Sequence, residues 1–483
     1  MKKTIYAIMA MLCLTLASCD SWLDVKPYDK ISENELTKSE EGYQKMLNGV
    51  YIDLNDDALY GKTLSVEMIE VMGGAYAIGT DNSVWGNYKD LSSYQYGTDY
   101  WRDRLSQTWN KAYALILNCN KILESIDANN SLFTNGNYYT IKGEAMALRA
   151  MLHFDMLRLF GPVYSKDSEK TAIPYYTKVT NSPEPLLSAK DVASKVVADL
   201  EEARILLAND PIKTQGTMMS SSTDGTSNFM HYRALRLNYY AVEALLARAY
   251  LYIGNKPSAL KYATDVIRTV DSGIFPFVDR SLVTGSPSDP DRIFSSEVIF
   301  ALTNTSRSKI FQNYYDPSRL PNFVFRMDNS LMDNIVYGGA SQTGGYQDDY
   351  RYRANWIATG SNRYFYKYSD MAASGSIQNT MIPMLRLGEM FLIAAESQSD
   401  NLTGGTQYVN ILRRNRGVAS LQTLTPDLLK YEYIRELYGE GQLFFLYKRL
   451  YSDIISSASS SKNTKASDLV FVVPLPDSET DNR

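Results

Sequence analysis

The stretch EALLARAYLYIGNKPSALKYATDVI, residues 243–267, decides the fold. Ala247, Tyr250, Gly254 and Ala259 stand at the small-xx-Tyr-xxx-Gly-xxxx-Ala spacing of a tetratricopeptide unit. Ala247 places a methyl group at the closest helix contact, and Tyr250 follows one turn later. Gly254 opens the turn, and Ala259 and Ala263 begin the second helix. Small residues at the crossing let antiparallel helices approach.

Working outward, apolar residues recur at helical spacing in several segments. In 40–55 they are Tyr43, Met46, Leu47, Val50 and Leu54. Further helical patterns cover 101–126, 140–160, 186–207, 233–253, 384–399, 406–416 and 426–451. The 140–160 pattern stops at Gly161-Pro162, a strong terminator. Segments 143–160 with 186–207, and 384–399 with 406–416, match the helical-pair outline. Residues 73–100 read as a long loop. Short β-like runs at 298–302, 322–326 and 364–368 lie between polar turns, and 469–473 reads as a terminal strand. The fold class expected is mainly α: a tetratricopeptide-like helical-pair scaffold with long loops and a less regular C-terminal half containing short strands. The expected organisation is a signal segment 1–18, a tether 19–39, a helical region 40–272, and a loop-rich region with C-terminal helices, 273–483, packed on it as one body.

Composition narrows the function. The chain has 483 residues, 45% hydrophobic and 21% charged, enough for a large core. A formal charge of −5 argues against a long phosphate footprint. With 3 cysteines and 2 histidines, neither a disulfide scaffold nor a multi-histidine metal centre is available, and no cofactor is expected. Tyrosine is in excess, at 37 against 16 phenylalanines, and joins an apolar ring to a polar tip. His153 reads as a core residue beside Phe154, and His231 as exposed. The pairs Asp56-Asp57 and Asp348-Asp349 read as solvated turns rather than a calcium site or acid–base pair. No Gly-rich phosphate loop or nucleophile elbow occurs, so an enzyme is not expected.

The N-terminus sets the compartment. Lys2 and Lys3 precede an apolar stretch over 5–17, too short to span a bilayer. It ends in Leu16-Ala17-Ser18-Cys19, the pattern of a lipobox whose cysteine is acylated and becomes the mature N-terminus. The expectation is a body tethered through Cys19 to the outer membrane, facing the exterior.

Several segments resemble the SusD/RagB-like outer-membrane nutrient-uptake lipoproteins of Bacteroidetes. Cys19-Asp20-Ser21-Trp22-Leu23-Asp24-Val25-Lys26-Pro27 is similar to the family's start. Trp109-Asn110-Lys111-Ala112-Tyr113 leads a helix in family style. Gly143-Glu144-Ala145, Ala147-Leu148-Arg149-Ala150 and Phe160-Gly161-Pro162 match closely. Arg386-Leu387-Gly388-Glu389, Arg413 and Arg416-Gly417 resemble a second signature. Glu432, Glu436-Leu437, Glu440-Gly441 and Val473-Pro474-Leu475-Pro476 resemble a third. Departures are Tyr433 and Gln442, where the family usually carries arginine, and an end at Arg483 before the usual tail. The resemblance implies a helical, non-enzymatic surface protein. It would bind oligosaccharide, or in the alternative peptide, and deliver it to a SusC-like TonB-dependent transporter. A scaffold without a small ligand is the third reading.

Family motifs do not carry the ligand-binding aromatics, so candidates come from the residues themselves. Sugars need flat apolar faces with amides, carboxylates or guanidinium groups nearby. The best constellation is Trp85, with Asp81, Asn82, Tyr88, Tyr94, Tyr96 and Trp101. A second cluster, Tyr346, Tyr350, Tyr352, Trp356, Tyr364 and Tyr366 with Asp348, Arg351 and Arg353, reads as a packed strand face. Tyr314, Tyr315 and Arg319 form a third. Trp109 reads as core.

Overall fold

A computed structural model describes residues 33–79, 82–223, 227–285, 289–319, 323–338, 348–371, 375–398, 404–456 and 463–481. The signal segment and Cys19 therefore lie outside the described residues. The principal helices run in chain order: α1 (Glu40–Asp53), α2 (Asp99–Ile126), α3 (Asn137–Phe160), α4 (Ala189–Leu206), α5 (Tyr239–Tyr252) and α6 (Lys256–Ile267). After a long excursion come α7 (Leu387–Glu396), α8 (Gly405–Arg414), α9 (Pro426–Leu437) and α10 (Leu443–Leu450). From α2 to α8 each helix packs on the next, so the chain builds a continuous helical-pair array.

Local chemistry starts these helices. Ser39, Ser188, Asn238, Asn255 and Thr425 accept hydrogen bonds from backbone N–H groups of the first turns of α1, α4, α5, α6 and α9. Pro257 and Pro426 occupy first-turn positions where no donor is needed. Ala247, Ala259 and Ala263 are fully buried at the α5–α6 contact, and Tyr250 stacks on Tyr262 with ring centroids 5.7 Å apart.

The excursion between α6 and α7 contains two antiparallel strand pairs. β1 (Val298–Thr303) pairs with β4 (Met381–Arg386), and β2 (Trp356–Thr359) forms a hairpin with β3 (Asn362–Phe365). Several expectations change here. The 384–399 pattern begins as strand, because the β1 partner takes Met381–Arg386 before α7 starts. The loop expected over 73–100 contains short helices Asn82–Trp85 and Asn87–Ser92. The run 322–326 makes no strand among its described residues, and 469–473 begins in a helical turn, Asp468–Phe471. The 350–356 segment is a helix, Tyr350–Asn355, begun by the Asp349 side chain, so its tyrosines do not share a strand face.

The 426–451 pattern also breaks, into α9 and α10. Gly439 and Gly441 adopt φ of 74° and 69° between them, a region that favours glycine. Their N–H groups donate to the two carboxyl oxygens of Glu70 at 3.0 and 2.8 Å. Burial pushes the Glu70 carboxyl up to about 8.

Around this break lies a buried ionic lattice. Glu436 accepts from Arg416 at 2.7 Å, Arg386 at 2.8 Å and Arg351 at 3.1 Å. Arg416 also holds Glu297 at 2.5 Å, Arg386 holds Glu440 at 2.8 Å, and Arg351 holds Asp349 at 2.6 Å and Glu432 at 3.0 Å. Glu432 is closed in further by Arg413 and Arg435. These guanidinium groups hold both carboxyls below the usual range despite burial. Gly388 is required by this lattice: a Cβ there would lie 2.2 Å from a Glu436 oxygen. A second lattice joins the helical half, where Arg233 bridges Glu144 at 2.7 Å and Asp210 at 2.6 Å, and Arg236 adds a bond to Glu144 at 2.8 Å.

The two departures from the family pattern have partners. The Tyr433 hydroxyl donates to Glu396 at 2.9 Å, a carboxylate also held by Arg449. Gln442 accepts from Arg158 at 3.0 Å.

Two outcomes follow. Glu436→Gln leaves buried guanidinium groups short of counter-charge, and thermal or urea unfolding should show a loss of about 3–5 kcal/mol. Glu70, with its folded pKa raised from 4.5, retains a proton that the unfolded chain releases. Its contribution therefore falls as pH rises from about 4.5 to about 8. Glu70→Gln should flatten the stability–pH curve over that interval, measured by urea midpoints at successive pH values.

Candidate ligand-binding surface

The surface grows from the segment before α2. Tyr76 is fully buried and its hydroxyl donates to the Val66 carbonyl at 2.6 Å. The next residue, Ala77, donates its N–H to the Arg326 carbonyl at 2.8 Å, and Phe325 donates to the Tyr314 carbonyl at 2.7 Å. These bonds bring together the first and third aromatic clusters named from sequence. A helical turn, Arg307–Ile310, widens into a π-helical turn, Phe311–Tyr315. That turn buries Tyr315 and leaves Phe311 and Tyr314 half-buried.

Phe325 is the centre. Its ring stacks with Tyr76 at 4.3 Å and with Tyr314 at 5.3 Å, and meets Tyr88 edge-on at 5.2 Å. Trp85 lies 5.5 Å from Phe323 and 6.4 Å from Phe325. Above this base, Tyr88, Tyr314 and Phe323 are half-buried, and Tyr100 is 39% exposed. Arg319, exposed beside the rim, bonds the Gln312 carbonyl and the Asn313 side chain, each at 3.2 Å.

A polar pair lies beneath. Glu67, nearly fully buried, accepts from the Tyr88 hydroxyl at 2.5 Å and from Arg104 at 2.8 Å. Burial first, then the Glu67 charge, raises the pKa values of Tyr88, Tyr100 and Tyr314. All three phenols thus stay protonated at neutral pH; the Tyr88 proton is committed to Glu67, and Tyr100 and Tyr314 can donate to a ligand. Rings in contact with neutral phenols suit non-covalent capture of a polyhydroxylated ligand.

The sequence candidates divide on burial. Trp101 is fully buried, and its indole N–H donates to the Asn87 carbonyl at 2.6 Å. Tyr94 and Tyr96 are buried, with hydroxyls on the carbonyls of Met72 at 3.1 Å and Val470 at 2.6 Å. These three hold the surface from below and offer no open ring face, which corrects the expectation that they line a ligand. Trp85 keeps 8% of its surface exposed and belongs mainly to the base. Tyr88 stays at the rim. Asn82 begins a short helix, and Asp81 lies outside the described residues.

The residues that sequence reasoning missed are Phe323, Phe325, Glu67 and Arg104. The two phenylalanines sat in a run taken for a strand, and nothing local marks Glu67 or Arg104. In the second cluster, Trp356 is buried against Phe365 and Tyr438, each at 5.0 Å, and Arg351 belongs to the ionic lattice. Tyr346 lies outside the described residues. Trp109 and His153 are core residues. His153 Nδ1 donates to the Arg149 carbonyl at 2.9 Å, Nε2 accepts from the Tyr176 N–H at 3.1 Å, and burial pushes its pKa down to about 3. Among the described residues no group of three or more His, Cys, Asp or Glu is arranged to hold a metal ion, and no helix is long and apolar enough to cross a membrane.

Helical pairs carrying a loop-built aromatic rim define a binding protein of tetratricopeptide-like build. The family model described as "Starch-binding associating with outer membrane" matches residues 21–223, and that described as "SusD family" matches 301–473. The chain belongs to the SusD/RagB-like family. It is 25% identical to SusD-like protein P38 of Formosa agariphila over 473 residues, covering 86% of this chain and 82% of the relative. With SusD-like protein P2 of the same organism the identity is 24%, over 40% of this chain and only 36% of the relative. In three dimensions it resembles a SusD superfamily protein from Bacteroides thetaiotaomicron, with TM-score 0.70, 21% identity, and coverage of 92% of this chain and 98% of the other. A SusD-like carbohydrate binding protein from Bacteroides vulgatus gives TM-score 0.64 at 20% identity, covering 86% and 85%.

The base and rim differ in their expected response to truncation. Trp85→Ala removes a buried ring and should cost about 3–5 kcal/mol. Phe323→Ala, at the half-buried rim, should stay within about 1 kcal/mol of the parent. Parallel urea denaturation measures both.

Proposed function

We propose that this protein captures oligosaccharide at the rim formed by Tyr88, Tyr100, Tyr314 and Phe323 and presents it to a SusC-like TonB-dependent transporter. The observation carrying this reading is the rim itself: partly open aromatic faces, seated on a rigid buried base, with protonated phenols beside a neutralised Glu67–Arg104 pair. Flat rings meet the C–H faces of sugars, and the phenols and Arg319 meet hydroxyls. Family membership supports the class of ligand, since one matching family description names starch binding and one structural relative is described as carbohydrate binding. Among the described residues no nucleophile or acid–base pair accompanies the rim, and the reading is capture without chemistry.

The lipobox supports a body held outside the cell through an acylated Cys19 at the outer membrane. Weak contacts suffice there, because a polymer engages repeatedly and the transporter removes what is captured.

The test is binding by calorimetry to a panel of neutral polysaccharide hydrolysates and to a peptide digest. Tyr314→Ala and Phe323→Ala should each weaken oligosaccharide binding about tenfold while leaving the unfolding midpoint near the parent value. Retained affinity in both variants would overturn the rim assignment. Binding of the peptide digest alone would replace the ligand class.

A further inference from the structure

We propose that a cleft between α2 and the strap 174–183 is a second ligand subsite, shaped for one or two neutral sugar units and separate from the Tyr314–Phe323 rim. The inference rests on the carbohydrate reading above for its ligand class and on independent geometry for its location.

The cleft encloses about 330 Å³, within the range of small-ligand sites. Trp109, Tyr113, Tyr176, Lys178, Ser182 and Glu479 line it. The strap belongs to no sheet; its base is closed around the Thr171–Ser188 bridge, where Ala172 donates to the Leu187 carbonyl at 2.8 Å and Leu187 to the Ile173 carbonyl at 3.0 Å. Its backbone is nevertheless fixed by side chains reaching out from the helices. Fully buried Asn120 donates to the carbonyls of Tyr176 and Lys178 at 3.2 and 3.3 Å. Fully buried His153 accepts from the Tyr176 N–H at 3.1 Å. Tyr113 donates to the Pro174 carbonyl at 3.1 Å, and Glu124 accepts from the Val179 N–H at 2.6 Å. The Tyr176 hydroxyl in turn accepts from the Glu184 N–H at 3.1 Å.

This clamp holds the strap at a fixed distance from α2 with no ligand required, so the cleft is preorganised. Its walls are aromatic. Half-buried Tyr113 and Tyr176 face it, edge-on to one another at 5.6 Å, and the core residue Trp109, only 2% exposed, backs Tyr113 at 4.5 Å. One end is closed by the turn Asp477–Thr480, where Glu479 accepts from the Trp109 indole N–H at 3.3 Å and Asp477 pairs with Arg102. Glu479 and Lys178 bring opposite charges, which suits an uncharged ligand better than an anion or cation. Trp101, beneath the rim, and Trp109, behind the cleft wall, both lie on α2, about 12 Å apart along its axis. One polymer engaging both places gains effective concentration for the second contact.

The indole N–H resonances of Trp85 and Trp109 report the two places separately in ¹⁵N-correlated spectra of the full chain. The probes are size-fractionated hydrolysates of starch, xylan and mannan at millimolar concentration. At least one probe should shift Trp109 in the parent and in Phe323→Ala. The shift should vanish in Ser182→Trp, which plugs the cleft from an exposed strap residue, and weaken in Lys178→Ala. Ser182→Trp should also lower affinity for the longest bound fraction about tenfold. A moving Trp85 with a fixed Trp109 would overturn the cleft and leave the rim standing. A moving Trp109 with a fixed Trp85 would do the reverse. Two fixed resonances would sink both, and a Trp109 shift that survives the plug would sink the cleft.

Discussion

Glu436 and the guanidinium groups around it constrain the whole C-terminal half. The carboxylate has left water completely, so it must find Arg351, Arg386 and Arg416 together. Those residues come from the helix after Asp349, the end of β4 and the turn after α8. The lattice contributes less net stability than its Coulomb attraction suggests, because burial of each ion costs much of what pairing returns. Its effect here is registry, since a shift of any one contributing segment strands a charge. Once α9 is fixed, the Gly439–Gly441 turn is fixed, and through Glu70 it fixes the segment leading to Tyr76 and the aromatic base.

How much of this could be read in advance depends on the range of the interaction. The α5–α6 pair is local: Ala247, Tyr250, Gly254 and Ala259 carry their own instructions. Caps and the Gly161-Pro162 stop are local too. The α9–α10 break is not, because Gly439 and Gly441 bend toward a carboxyl group some 370 positions earlier in the chain. β4 fails for the same reason. Met381–Arg386 has helix-compatible neighbours on one side, and only its partner β1 makes it strand. The motif residues Arg386, Arg416, Glu432 and Glu436 stand out in sequence as a signature, and the lattice supplies the physical reason they occur as a set.

The aromatic rim was half legible. Trp85 and Tyr88 were singled out for their polar surroundings, yet the same composition covers residues that burial removes from consideration. Trp101, Tyr94 and Tyr96 each place one polar atom on a backbone carbonyl and the remainder in the core. An amphipathic ring reads the same in sequence whether its polar tip meets ligand or main chain. Phe323 and Phe325 were obscured because their partners, Trp85 and Tyr76, stand more than two hundred residues away.

The tyrosine excess acquires a mechanical meaning. Tyr76, Tyr113 and Tyr368 each hook a carbonyl in an irregular stretch of backbone, and Tyr94 and Tyr96 each hook one in a short helical turn. They act as rivets where long sheet or helix ladders give out. Stiffness in the loops is thereby uncoupled from what the loops display. Exposed neighbours can be substituted without slackening the chassis, so what the loops display is set apart from what holds them.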